Sequence, residues 1–433
     1  MTEHQLFLFL AEVAVLFLAA RIGGEIAQRL RIPLHVGELA VGIMLGPSLL
    51  GWVNPSAFEA LFPAEPMQRS LLEIVSWTGI IFLVLIGGLE TRLGVLRESG
   101  RAILGGWLGG FGLPFAGGFT LGMVFPESMI PGSIERPVFA LFLATALAIS
   151  AIPVIARILM DLDLYKTRVG MITLSTALAD DTIGWIVLSL VAGLAAGGVA
   201  AGSVVTTMAL TLAFVVGSFT VGRTIVKEMM RFSARRLQMP FAEMSMVFFI
   251  VFVFAAITQA IGVHLVLGAF IGAILIGRTR VTVQSVQAIR GVGMGFLVPF
   301  FFAYTGIKVD LTTLQGDALT FTILAVVVAC ITKVVGGGVG ARVGGLPRWE
   351  AVAVGIGLNA RGAMELVIAA IGLSIGVLTS ATYAIIVLVA VLTTIMTAPL
   401  LRFAVERAEK ASGEALRPQD AQPAIVRASE ITA

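Results

Sequence analysis

Thirteen apolar stretches of near-membrane length divide this chain of 433 residues. A helix needs about 20 apolar residues to cross the ~30 Å hydrocarbon core, fewer where it is broken or untilted. The stretches fall at 5–28, 33–50, 71–89, 101–125, 137–160, 169–195, 203–226, 243–260, 262–278, 292–307, 319–341, 350–375 and 381–403, with Gly262 as the break between the eighth and ninth. Only 13% of residues are charged, against about 25% in soluble domains, and mean hydropathy is +1.00. The solvent of this chain is lipid. The fold class is all-α and polytopic, with about thirteen transmembrane helices.

The sixth stretch carries two adjacent acids, Ala179-Asp180-Asp181-Thr182, midway along an apolar run. One carboxylate at the bilayer centre costs roughly 2.5–3.5 kcal/mol on insertion scales, so a pair demands a reason. Helix neighbours point about 100° apart; one acid can face a cation path while the other meets a neighbouring helix. Lys333, mid-span in Cys330-Ile331-Thr332-Lys333-Val334-Val335, is the natural countercharge. Gly336, Gly337, Gly338 and Gly340 follow it and let other backbones come close. An Asp–Lys pair that only pins two helices leaves the second acid unexplained. Burial without a countercharge favours the neutral form of a carboxyl, and such a group can exchange a proton for a cation.

Basic residues set the orientation. Alternate loops hold Arg29 and Arg31; Arg92, Arg97 and Arg101; Lys166 and Arg168; Arg223, Lys227, Arg231, Arg235 and Arg236; Arg278, Arg280 and Arg290; Arg342 and Arg348, while the others hold only Arg69, Arg136 and Lys308. The bias places the N-terminus outside and the C-terminus in the cytoplasm, as an odd number of spans requires. Met1-Thr2-Glu3-His4 gives no basic leader region, so the first stretch reads as a retained span. The membrane domain is expected over residues 1–403. The tail from 404 to 433 lacks hydrophobic periodicity, reads as disordered, and is too short for a nucleotide-binding regulatory domain. The single cysteine, Cys330, excludes an intrachain disulfide framework.

Span three ends Phe82-Leu83-Val84-Leu85-Ile86-Gly87-Gly88-Leu89-Glu90-Thr91-Arg92-Leu93, and span ten ends Phe300-Phe301-Phe302-Ala303-Tyr304-Thr305-Gly306-Ile307-Lys308-Val309-Asp310-Leu311. Spans two and nine share His35, Gly42 and Gly46 against His264, Gly272 and Gly277. Span n thus matches span n+7, which predicts inverted repeats over about 5–195 and 243–403. Such repeats are typical of secondary transporters. Spans five and twelve should then correspond, and both carry helix breakers. Pro153 deprives the Ile149 carbonyl of its helical donor, beside the polar Thr145 and Ser150. Gly355-Ile356-Gly357-Leu358-Asn359-Ala360-Arg361-Gly362 is polar and glycine-rich at mid-depth. Paired interrupted helices are the best pointer to a substrate site. Arg361 and Glu365, four apart, can pair along one face; with Asn359 they either bridge the broken helix or contact the ion. His35 and His264 read as interfacial histidines, with pH sensing as the other reading. Gly105-Gly106 and Gly109-Gly110 read as helix packing.

Three ordered motifs carry a family resemblance: Ala148-Ile149-Ser150-Ala151-Ile152-Pro153-Val154-Ile155-Ala156-Arg157-Ile158-Leu159, Ala179-Asp180-Asp181-Thr182-Ile183-Gly184-Trp185, and Leu358-Asn359-Ala360-Arg361-Gly362-Ala363-Met364-Glu365-Leu366-Val367-Ile368. Together they resemble the monovalent cation/proton antiporters, in the branch of plant cation/H⁺ exchangers and bacterial Kef-like transporters. The resemblance covers about residues 5–403. It implies an inverted-repeat sodium/proton-antiporter-like fold with two discontinuous crossing helices, a mobile core domain and a dimerisation domain, hence a homodimer. It makes Asp181 the residue where cation and proton compete and Asp180 the partner of Lys333. Many relatives in this branch have Asn for the first acid; Asp180 makes this chain similar to the electrogenic members.

The expected function is alternating-access exchange of H⁺ for Na⁺ or K⁺. The ion is bound by Asp181 and Asp180 with Ser150, Thr145 and carbonyls near Ile149, and the broken helices are supported by Ile149, Pro153, Asn359, Arg361 and Glu365. The alternative is a gated monovalent cation (K⁺) channel or efflux system on the same fold. An intramembrane aspartyl protease needs acids from two helices and a Gly-x-Gly-Asp motif, which this chain lacks, so no enzymatic activity is expected. No Walker loop or metal-ligand cluster is present, so no cofactor is expected beyond the transported ions. The expected partners are protons, monovalent cations, membrane lipid, a second copy of the chain and a separate regulatory subunit, with no nucleic acid. The expected location is the plasma (inner) membrane, and the expected role is pH homeostasis.

Overall fold

The apolar stretches become helices because nothing else satisfies a backbone inside lipid. The computed structural model describes residues 2–30, 32–63, 65–90, 100–165, 167–195, 201–237, 239–261, 265–279 and 281–412, and gives only the backbone of some helical residues, Asp181 and Thr182 among them. Its helices are, in order, α1 (Glu3–Arg29), α2 (Leu34–Leu45), α3 (Leu50–Val53), α4 (Pro55–Leu61), α5 (Pro66–Glu90), α6 (Gly100–Met123), α7 (Arg136–Ala148), α8 (Ile152–Asp161), α9 (Arg168–Ala195), α10 (Ala201–Gly217), α11 (Arg223–Arg236), α12 (Ala242–Ile261), α13 (Leu265–Gly277), α14 (Val283–Val292), α15 (Val298–Ile307), α16 (Asp317–Val343), α17 (Arg348–Leu358), α18 (Ala363–Ser374) and α19 (Ser380–Ser412). No strand occurs among the described residues. Ten helical segments there are long and apolar enough to cross a bilayer, and three shorter apolar helices accompany them: Arg136–Ala148, Leu265–Gly277 and Met364–Ser374. Wider turns at Ser218–Gly222 and Gly293–Leu297 join α10 to α11 and α14 to α15 without ending the helix.

Helix ends follow local chemistry. Thr2 and Gln5 cap α1 reciprocally: Gln5 N–H donates to Thr2 Oγ1 at 3.2 Å and Thr2 N–H to Gln5 Oε1 at 2.9 Å. Proline stands in the first turn of α4, α7, α8 and α15, where its missing N–H costs nothing. The final helix runs to Ser412, past the expected domain end at 403. Ala404, Val405 and Ala408 stay buried there, and the Arg407 guanidinium lies over the Trp349 and Phe403 rings at 5.8 and 5.2 Å. The rest of the tail, together with Gly262, His264, Thr91–Leu93 and the loop cations Arg31, Arg92, Arg97, Lys166 and Arg280, lies outside the described residues.

Packing divides by element. α1 and α2 pack on each other and on α15, while α12 packs on α13 and α13 on α5. α6, α7, α16 and α17 form a second group that includes α9 and α19. α6 and α16 approach closely. Gly105 and Gly109 meet Gly340 and Gly336, and a Cβ on any of the four would overlap the opposite backbone. Gly337 and Gly338 turn toward α17, where Gly355 lies against the α16 backbone. Lys333 sits one turn before these glycines, so its helix is drawn to the interrupted segments from two sides. This is small-residue packing of the kind membranes favour, since lipid offers no hydrophobic drive between helices.

Gly109→Val and Gly336→Val should each destabilise the detergent-purified protein by about 1–3 kcal/mol, as overpacking does. Gly112→Ala should be neutral or raise stability by up to ~1 kcal/mol, because no atom lies within 4 Å of its Cβ position. Thermal melts of the three variants check this.

Candidate functional site

Two interrupted helices meet at the middle of the second group. The first breaks between Ala148 and Ile152, with Ile149 extended at φ −79°, ψ 144°. The second breaks between Leu358 and Ala363. Backbone joins the breaks directly: Ala151 N–H donates to the Ala360 carbonyl at 3.1 Å. Pro153 does not itself mark the first break; it lies in the opening turn of α8 and starts the second half-helix.

A half-helix that ends in mid-membrane leaves carbonyls without donors, and leaves a partial negative charge. Two cationic side chains answer those of α7. Arg361 Nη1 donates to the Ala146 carbonyl at 3.0 Å and its Nη2 to the Leu147 carbonyl. Lys333 Nζ donates to the Ala148 carbonyl. Each cation also holds a carboxylate. Lys333 Nζ is 2.7 Å from Asp180 Oδ2, both side chains fully buried, and Arg361 Nη1 is 3.1 Å from Glu365 Oε1. Ser150 completes the junction: its Oγ lies 2.6 Å from Asp180 Oδ2 and 2.9 Å from the Leu358 carbonyl.

The predicted residues are thus largely brought together. Asp180, Lys333, Ser150, Arg361 and Glu365 share one connected network around the end of α7. Ile149 joins it by its side chain, which packs on Gly184, one turn beyond Asp180. Asn359 stands at the second break, where its Nδ2 donates to Cys330 Sγ at 3.7 Å. Thr145 is buried but turned along its own helix, with Oγ1 donating to the Leu141 carbonyl at 2.7 Å. The Asp181 side chain lies outside the described residues; its backbone places it next to Asp180 in α9. His35 is half-buried, set against Gly362 with its ring 5.4 Å from that of Phe302.

Several contributors carried no sequence signal. Thr394, one threonine in the apolar α19, accepts from Arg361 N–H at 3.2 Å and donates to the Arg361 carbonyl, so it clamps the unwound segment. Thr176, one turn before Asp180, has a buried hydroxyl without a partner among the described residues. Asp180 Oδ1, Asn359 Oδ1 and Glu365 Oε2 are in the same condition. The elements of the crossing therefore carry four buried oxygens with unused lone pairs, the ligand type that hard alkali cations take.

Removing one member of a buried ion pair costs about 3–5 kcal/mol, because the other is left uncompensated. Lys333→Met and Asp180→Asn should each be destabilising on that scale. The double variant should cost less than the sum, with a coupling of about 0.5–3 kcal/mol in a thermal double-mutant cycle.

Comparison with known proteins agrees with this architecture. Residues 13–405 match the transmembrane sodium/hydrogen exchanger family. The chain is 33% identical over 405 residues to the Na(+)/H(+) antiporter NhaS4 of Synechocystis, covering 93% of this chain and 98% of that one. It is 30% identical over 409 residues to the Na(+)/H(+)-K(+) antiporter GerN of Bacillus cereus, covering 94% and 99%. Cation/H(+) antiporter 18 of Arabidopsis thaliana is 31% identical over 419 residues, covering 95% of this chain, which spans about half (51%) of that protein. Among solved structures, the sodium proton antiporter MjNhaP1 of Methanocaldococcus jannaschii shares the fold, with a TM-score of 0.63 at 15% identity over 96% of this chain and 100% of that one. The chain belongs to the sodium/hydrogen exchanger family, a family of multi-pass membrane transporters.

Proposed function

We propose that this chain is a secondary active monovalent cation/proton antiporter that exchanges Na⁺ or K⁺ for H⁺ by alternating access. The observation that carries the reading is the buried Lys333–Asp180 pair at the junction of two interrupted helices, with a second acid next to it in the sequence. Lys333 balances one carboxylate. Asp181 adds a further negative charge in a low-dielectric setting, where a proton or an alkali ion neutralises it but not both together. Asp180 Oδ1, Ser150 Oγ and Thr176 Oγ1 stand on the same crossing and supply oxygens to the ion; Thr145 contributes from the last turn of α7. Glu365, Arg361 and Asn359 hold the second break.

Supporting observations come from the packing. The α2–α15 and α13–α5 contacts map onto each other if span n corresponds to span n+7, as inverted repeats would have it. On that basis the chain makes thirteen crossings of the plasma membrane, with the N-terminus outside and the C-terminus in the cytoplasm. It works as a homodimer in pH homeostasis, with a separate regulatory subunit as a partner and no cofactor beyond the transported ions. The similarity to NhaS4, a Na(+)/H(+) antiporter, and to GerN, a Na(+)/H(+)-K(+) antiporter, supports exchange of Na⁺ or K⁺ against H⁺.

Everted vesicles containing the protein should lose an imposed pH gradient on addition of Na⁺, K⁺ or both, read by a pH-sensitive dye. Asp181→Ala should abolish this response. Undiminished exchange in Asp181→Ala would sink the assignment, and cation flux without proton movement would point to a channel instead.

A further inference from the structure

Far from the crossing, the seam between α1 and α5 buries a second carboxyl that the exchange chemistry does not use. Glu12 and Gln68 are each 1% exposed. Gln68 Nε2 donates to Glu12 Oε2 at 2.9 Å and to the Gln5 carbonyl at 3.2 Å. Those two acceptors fix the amide orientation, since the flipped amide would set its oxygen against both. One oxygen is then left on each side chain. Glu12 Oε1 and Gln68 Oε1 are buried and without a partner among the described residues. Two leftover acceptors are what the missing second limb of a cyclic acid–amide pair would join.

No basic side chain among the described residues forms an ion pair with Glu12. Lys308, which follows α15, is taken by Glu73 at 2.8 Å and lies over the Tyr304 ring at 4.6 Å. The Tyr304 hydroxyl donates to the Arg69 carbonyl at 3.4 Å. Arg69, Glu73 and Tyr304 are thus the titratable groups that α5 and α15 bring toward this end of α1. Gln5 faces Glu65 and is neutral. On α2, Glu38 lies beside Gly24, twelve residues further along α1 and so about 18 Å away. A lone carboxylate in this seam would keep one buried oxygen without a donor, and the amide bonded to it would do the same. Two oxygens are too few to strip an alkali ion of its water, but one proton satisfies both.

We propose that Glu12 is a proton-binding site distinct from the exchange site. It is held as the neutral acid, with Oε1–H donating to Gln68 Oε1 while Gln68 Nε2 donates to Glu12 Oε2. The pair latches α1 to α5. Loss of the proton leaves acceptor facing acceptor and loosens the seam, so the latch is sensitive to base. The proposal stands whether or not the exchange reading does.

Infrared spectroscopy of the purified native protein tests it directly. A carboxylic acid C=O band, sensitive to deuterium, should persist at a pH where exposed carboxyls are ionised, and Glu12→Gln should remove it. Gln68→Leu, a second variant, should move the band to higher frequency, because the Nε2 donor is gone. A proton held by the folded state and released by the unfolded chain makes stability fall as pH rises. The native melting temperature should therefore drop on going to alkaline pH, and Glu12→Gln should flatten that drop while leaving vesicle exchange intact. A band unchanged in Glu12→Gln would overturn the proposal. So would thermal stabilisation by NaCl or KCl over choline chloride that depends on Glu12, since an alkali ion would then occupy the seam.

Discussion

A helix broken in mid-membrane must find donors for its last carbonyls, because no water is there to supply them. In this chain the donors are two buried cations, Lys333 from α16 and Arg361 from the unwound segment between α17 and α18, which reach the carbonyls of Ala146, Leu147 and Ala148. The remaining features of the crossing depend on that arrangement. A buried cation needs a carboxylate, so Asp180 and Glu365 follow. Lys333 has to be brought up to the α7 break, and α16, which carries it, packs glycine on glycine against α6. Disruption of the α7 cap would leave unsatisfied carbonyls and unpaired charges together, which is why the network is expected to respond as a unit.

Contacts set by charge and spacing are legible in the sequence. A lysine and two aspartates inside apolar runs had to seek each other, and Asp180 meets Lys333. Arg361 and Glu365 stand one turn apart and pair as their spacing requires. Apolar length located the helices, and Gly105, Gly109, Gly336 and Gly340 marked two of them for close packing, though not against each other. The helix ends were less legible. The extension of α19 to Ser412 keeps Ala404, Val405 and Ala408 buried, the first two in a core shared with Leu159 and Leu346, and a local reading of an alanine-rich tail does not contain that information.

What stayed hidden were partners chosen by tertiary geometry. Pro153 reads as the breaker, yet the break precedes it and the proline opens the next half-helix. Arg361 reads as a bridge within its own span, but it also caps a half-helix more than two hundred residues earlier in the chain. Thr394 looks like any small polar residue of a membrane helix until the unwound Arg361 backbone meets it. Glu12, one acid in the first span, carries no signal of its own in the sequence; its partner Gln68 lies 56 residues further on.

The central claim is that H⁺ and an alkali ion exclude each other at the acid pair of α9. Equilibrium binding of radiolabelled Na⁺, and of a K⁺ surrogate, to the purified protein across a pH series measures this without a membrane. Simple competition predicts an apparent Kd that rises about tenfold for each unit of pH lowered once the site is protonated, with protons released to the medium as the ion binds. A cation affinity that is independent of pH, with no proton release, would contradict the account.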